Sequence, residues 1–133
     1  AGFLTGAIGA FASNFFFGQG PWTPWQMFAY GFAGFWAGLL FHGRPSWRKP
    51  WVLGLFGFFS ILLLVGPMLD SCTVFTVLPK LTLANVLLIY GQGVPVNTIH
   101  GLGCGMTLLV LTKPLLQKLG RIQRKYGILE DRK

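Results

Sequence analysis

Negative charge is almost missing from this chain. Asp70, Glu130 and Asp131 are its three acids, set against eleven Lys and Arg residues. Only 11% of the residues are charged, where a soluble domain averages about 25%. No charged side chain of either sign precedes Arg44. A soluble domain of this length cannot hide so much uncharged, Phe-rich surface. A nucleic-acid reader does not leave a third of its length without a cation, so the net charge of +8 is not a nucleic-acid footprint. Chemistry is equally sparse. The chain has no Ser-His-acid set, no paired carboxylates, no Walker-type loop and no metal-ligand spacing. It is not expected to be an enzyme or to carry a cofactor, and any uphill transport must draw its energy from a partner.

What is present is apolar. Hydrophobic residues make up 53%, mean hydropathy is +0.58, and there are 19 Gly and 13 Phe. Four apolar runs stand out, at about 1–17, 25–41, 51–69 and 96–116. At a rise of about 1.5 Å per residue, about 20 residues cross a hydrocarbon core about 30 Å thick. The expected fold is therefore all-α: a polytopic transmembrane bundle with four helices in residues 1–133. The first run is slightly short and opens directly in apolar residues without a Met, so it is read as a helix cut at its start and not as a signal peptide.

The cations orient the spans. Arg44, Arg48 and Lys49 fill the connection after the second run, and Lys113, Lys118, Arg121, Arg124, Lys125, Arg132 and Lys133 fill the C-terminal end. By the positive-inside rule both groups are cytoplasmic, with the C-terminus inside a prokaryotic plasma membrane. Residues 18–24 and 70–95 then lie outside, the latter as a structured loop with a short helix near 81–90. Trp22 and Trp25 flank the outer boundary, and Trp47 and Trp51 the inner one, as interfacial indoles do. Cys72 is expected in the outer loop and Cys104 within a span, too far apart in depth for a mutual disulfide. Gly2/Gly6, Gly34/Gly38 and Gly101/Gly105 are spaced for close helix approach. In the tail at 117–133, continuing the stripe begun at Leu115, Leu119, Ile122 and Tyr126 recur at helical steps, with Lys118, Arg121, Arg124 and Lys125 beside them. Either anionic lipid or a cytoplasmic partner would suit that face.

The few polar groups near the spans are the residues that need explaining, because an unpartnered one is costly in hydrocarbon. Asn14, Gln19, Gln26, Asp70, Asn97 and His100 all fall at outer span ends or in outer loops. A channel would carry polar groups along its whole depth; this distribution describes an outward-facing cup. In SNFFFGQGPWTPWQM, Gly and Pro force a tight turn, Trp22 and Trp25 offer flat faces, and Asn14, Gln19 and Gln26 offer donors and acceptors. Such a set suits a planar or ring-rich solute. Asp70, expected at a helix end just after a kink at Pro67, is a further candidate, as are Tyr90 at the end of the short helix and Asn97 with His100, three apart on one face.

The runs NFFFGQGPWTPWQMFAYGFAGFWAGLL and GVPVNTIHGLGCGMTLLVLTKPLLQKL resemble the substrate-binding S component of energy-coupling factor (ECF) vitamin transporters. The resemblance covers nearly the whole chain, although many members carry an aspartate at the position of Asn97 and an asparagine near Cys104. It implies helices three to six of a six-helix protein, with helices one and two and loop 1 absent from this sequence. It also implies a vitamin bound on the outer side, and docking on a transmembrane coupling subunit driven by two ATPase subunits. Residues 18–24 would be loop 3 and residues 70–95 loop 5. The motifs lie nearest those of cobalamin or corrinoid members, so a corrinoid is the expected ligand, with riboflavin and thiamine precursors open. Two other classes remain: a structural or assembly membrane protein whose polar groups only lock helix hairpins, and a membrane enzyme using Asp70 and His100 as acid and base.

Overall fold

Apolar runs without a water-facing period have few stable forms in lipid, where each backbone N–H and C=O must find its partner within the segment. The computed structural model describes residues 1–44 and 49–127, and among these only helices occur as regular structure. They are α1 (Gly2–Phe17), α2 (Trp22–Phe41), α3 (Pro50–Ser60), a π-helical turn (Ile61–Val65), α4 (Gly66–Val77) and α5 (Leu83–Tyr126). α3, the π turn and α4 run on as one rod, Pro50–Val77, so four rods are found where four helices were expected. Two of them, Pro50–Val77 and Leu83–Tyr126, are long and apolar enough to cross a membrane, and Gly2–Phe17 is a shorter apolar helix.

Several expected boundaries move. α2 begins at Trp22, so the outer connection after α1 shrinks to residues 18–21, turned at Gly18 with φ of 102°. The expected outer loop at 70–95 is almost entirely helix; only residues 78–82 connect α4 to α5. Asp70 and Cys72 consequently lie inside α4, and Pro95 lies inside α5. Cys72 is buried, Cys104 is partly covered, and both are free thiols. Trp47, Arg48, Glu130, Asp131, Arg132 and Lys133 fall outside the described residues.

The rods form two antiparallel hairpins, α1 against α2 and Pro50–Val77 against α5, which meet where α2 packs on the π turn and α4. Both seams are built from glycine. In the first, a Cβ on Gly2 would overlap the Gly34 carbonyl and one on Gly6 the Tyr30 carbonyl. In the second, Gly54 packs on Gly105 and Leu109, Gly57 on Cys104 and Leu108, and Gly101 on Phe58. Small residues let backbones approach closely where lipid supplies no hydrophobic drive for helix pairing. Gly38, the second member of the expected Gly34/Gly38 pair, faces open space.

The π turn sets the register of the second hairpin. Pro67 has no N–H to donate, and the Gly66 N–H bonds five residues back to the Ile61 carbonyl. One residue turns an α-helix by about 100°. Without this extra residue, Gly66 and Asp70 would be carried off the face that Gly54 and Gly57 present to α5. The expected kink at Pro67 is thus realised as a register shift.

Large apolar side chains point outward along every rod, and Val65 is the one large side chain fully buried among the described residues. The chain exposes 9877 Å², against about 6,900 Å² for a compact soluble monomer of 14.7 kDa. Several hydroxyls on the rods are satisfied within their own helix: Ser71 donates to Pro67 O at 2.8 Å, Thr76 to Cys72 O at 2.7 Å, Thr98 to Val94 O at 2.7 Å and Thr107 to Gly103 O at 2.8 Å. Such back-bonding removes the cost of a hydroxyl in hydrocarbon. The antiparallel pairing puts Arg44, Lys49 and Lys113 at one end of the bundle. The 18–21 and 78–82 connections, the latter carrying Lys80, lie at the other end, where the polar side-chain clusters gather.

Candidate functional site

At the end opposite the cations, the α1–α2 turn folds over a knot of four polar side chains. Asn14, on the last turn of α1, is buried and uses both amide N–H groups: one to Gln26 Oε1 at 2.8 Å and one to Thr23 Oγ1 at 3.3 Å. The Thr23 hydroxyl donates to Gln19 Oε1 at 3.1 Å and also accepts the Gly20 N–H at 3.2 Å. One hydroxyl therefore makes three bonds, all that its donor and two lone pairs allow. The positive φ of Gly18 turns the chain and brings Gln19 and Gly20 back over the start of α2.

Thr23 escaped the sequence reading because a threonine between two prolines and two tryptophans looks like turn filler. The available signal was the need of Asn14 and Gln26 for a shared partner at the start of the next helix. Replacing Thr23 by Val, which keeps its shape, is expected to cost about 1–3 kcal/mol by stranding these groups, while Thr23→Ser keeps most of the stability. Thermal unfolding of the two variants in one detergent checks this; equal midpoints for Val and wild type would show the hydroxyl to be idle.

A second polar cluster lies between α4 and α5. Asn97 donates an amide N–H to Asp70 Oδ2 at 2.9 Å, and the Ser71 and Tyr90 hydroxyls share a hydrogen bond of 2.7 Å. Glycines supply the space. A Cβ on Gly93 would collide with the Asp70 carboxylate, and one on Gly66 would collide with the Asn97 amide. Each polar side chain thus lies over a glycine of the opposite helix, four residues before its partner. Asp70, expected at a solvated helix end, is instead half-buried in a helix–helix seam.

The two clusters approach through aromatic rings, with Trp25 of α2 and Phe75 of α4 at 6.1 Å between centroids. Trp22 and Trp25 lie on the first turn of α2, 45% and 37% exposed, and Trp22 folds back over Gly20. His100 stands apart. It is exposed, and its Nδ1 faces the Val96 carbonyl of its own helix at 2.9 Å. Asp70 and His100 therefore direct their hydrogen bonds to different partners, which gives the acid–base pair no shared atom. Among the described residues, no group of three His, Cys, Asp or Glu side chains converges to hold a metal ion.

A cleft of about 430 Å³ opens beside the first cluster. Gly9 and Ser13 form one wall, Phe17 and Tyr30 give aromatic faces, and Asn14 and Gln26 give a polar edge. With the Asn14 N–H groups and Gln26 Oε1 engaged in each other and Thr23, Asn14 Oδ1 is left as an acceptor and the Gln26 amide N–H groups as donors. An apolar slot with a few convergent amides is the usual form of a small-molecule site. Asp70, Tyr90, Asn97 and His100 do not line it; of the nine expected site residues, Asn14 and Gln26 do.

A family model described as ECF-type riboflavin transporter, S component, matches residues 1–119. No curated protein matches the chain, and no solved structure does.

Proposed function

The chain belongs to the ECF-type riboflavin transporter S component family, and from that membership we propose that its ligand is riboflavin or a close flavin relative, held at the cleft beside Asn14 and Gln26. The family consists of membrane-integral transport subunits and not of enzymes, and its members associate with an ECF module of membrane and ATPase subunits. The expectation of a corrinoid ligand is corrected by the match, which is to the riboflavin type. Size points the same way, since a corrin macrocycle with its nucleotide loop is far larger than a 430 Å³ cleft.

The observation that carries the reading is the polar edge between two aromatic faces. A flavin ring is flat, apolar at its dimethylbenzene end and edged at the other by carbonyl, N–H, carbonyl. Gln26 supplies amide donors for the carbonyls and Asn14 Oδ1 an acceptor for the N–H, while Phe17 and Tyr30 cover ring surface. Trp22, exposed and one turn before Gln26 on α2, is proposed to extend the aromatic surface. Mutual pairing of Asn14, Thr23 and Gln26 also suits a purely structural role, and ligand binding separates the two.

Flavin fluorescence decides it. Titration of detergent-solubilised protein with riboflavin is expected to quench the flavin saturably, and Trp22→Ala to weaken binding about tenfold or more (a loss of about 1.4 kcal/mol or more) without lowering the yield of folded protein; Gln26→Ala, which also strands an Asn14 N–H, is expected to weaken binding as much and to lower stability. Saturable quenching that both variants leave untouched would move the site elsewhere, and absence of any flavin binding would leave the structural role.

A further inference from the structure

Beyond Lys113 the last helix leaves the bundle. Residues 114–126 continue α5 by about 20 Å, and every large side chain on this stretch is exposed. The segment is finished as a helix, closed by Gly127 in the left-handed region at φ of 60° with Arg124 and Lys125 in the last turn. Among the described residues nothing packs on this stretch, so its apolar side chains stand uncovered on a helix that projects from the bundle. This one therefore needs a surface to lie on, and its own side chains describe that surface.

Leu115, Leu119, Ile122 and Tyr126 fall within about 60° of one another around the helix, 51%, 53%, 47% and 64% exposed. Lys118 and Lys125 flank that stripe on one side, with Arg121 and Arg124 beyond them. From Leu83 to Tyr126 there is no acidic residue. Pro114 sits at the junction, inside the helix. It withholds the N–H that would bond to the Val110 carbonyl and so supplies a bending point where the span meets the first basic residue.

We propose that residues 114–126 form an interfacial helix, bent at Pro114 onto the leaflet from which α5 emerges and bound there by anionic lipid. Its apolar stripe enters the acyl boundary and its cations meet the headgroups. Continuity with the span holds the helix at the membrane, so modest affinity suffices. A hydrophobic groove on a protein would satisfy the stripe alone; the cations without a single acid select a negatively charged plane.

Trypsin reads the position of the tail, because Lys118, Arg121, Arg124 and Lys125 are all cleavage sites. The full chain is placed in nanodiscs of phosphatidylcholine, with or without phosphatidylglycerol. Each basic residue near an anionic surface contributes about fivefold to binding, so cleavage in the tail is expected to slow by about tenfold or more in the anionic discs. High salt should restore much of the rate, and Ile122→Asp should remove the protection while leaving the rest of the protein intact. Equal cleavage in neutral and anionic discs overturns the proposal. So does protection that arises only when the ECF membrane and ATPase subunits are added, since that result assigns the tail to a protein partner.

Discussion

Replacing Gly6 by Val is expected to abolish the folded α1–α2 hairpin, while Gly38→Val, in the same hairpin, leaves it standing. A Cβ at Gly6 would overlap the Tyr30 carbonyl, whereas one at Gly38 meets nothing within 4 Å. Overpacking costs about 1–3 kcal/mol when side chains can shift aside. At Gly6 the obstacle is main chain, and the neighbouring crossing at Gly2 and Gly34 is just as close, so the helices must separate. With total stabilities of about 5–15 kcal/mol, and a hairpin joined to the rest chiefly through α2, that separation removes most folded material. Gly9→Val gives a third outcome. Gly9 also faces open space, but that space is the cleft, so the variant should fold and lose flavin binding. Size-exclusion profiles in detergent, followed by flavin quenching on the folded fractions, separate the three. A folded Gly6→Val protein would refute the close crossing.

The sequence reading and the structure agree where the physics is that of lipid and charge. Uncharged runs became rods, and Arg44, Lys49 and Lys113 lie at the end opposite the amides, with Lys80 the exception, because hydrocarbon excludes both unbonded backbone and charge. They part company at glycine and proline. Gly91, Gly93 and Pro95 read as loop signals, yet all three lie within α5. Such signals draw their force from competition with water for the backbone. Here α5 packs on α4, and Gly93 is needed as the seat of Asp70, a role that only the opposite helix reveals. Pro67 marks a disturbance in the sequence, but the π turn at Ile61–Val65 that accompanies it, packed on α2 and α5, is not written in any local pattern. At the site, Asn14 and Gln26 were legible as isolated amides, and Thr23, which ties them together, was not. His100 is a candidate in the sequence as a polar group at an outer span end, three residues from Asn97; in the structure its Nδ1 faces a carbonyl of its own helix.

The Asp70–Asn97 pair carries the second large effect. Removing Asn97 leaves a half-buried carboxylate between two helices with its amide donor gone, and Gly93 beneath it offers no side chain to replace it. Deleting the donor to a half-buried carboxylate costs more than the hydrogen bond contributes, because the carboxylate stays partly desolvated with no partner. Asn97→Ala is therefore expected to destabilise by about 2–3 kcal/mol. Asp70→Ala should cost only about 1 kcal/mol, since a neutral amide is cheaper to leave unpaired. The double variant should be more stable than Asn97→Ala alone, because the stranded charge has gone with its partner. Asp70→Asn retains an acceptor for Asn97 and should stay near wild type. Denaturant or thermal unfolding of the four variants in one detergent gives the coupling energy; simple additivity would mean that the pair is not formed. Flavin affinity measured on the same variants has a separate use. The pair lies outside the cleft, so affinity should hold in Asp70→Asn, and a large loss there would draw α4 and α5 into the ligand site that α1 and α2 are proposed to form.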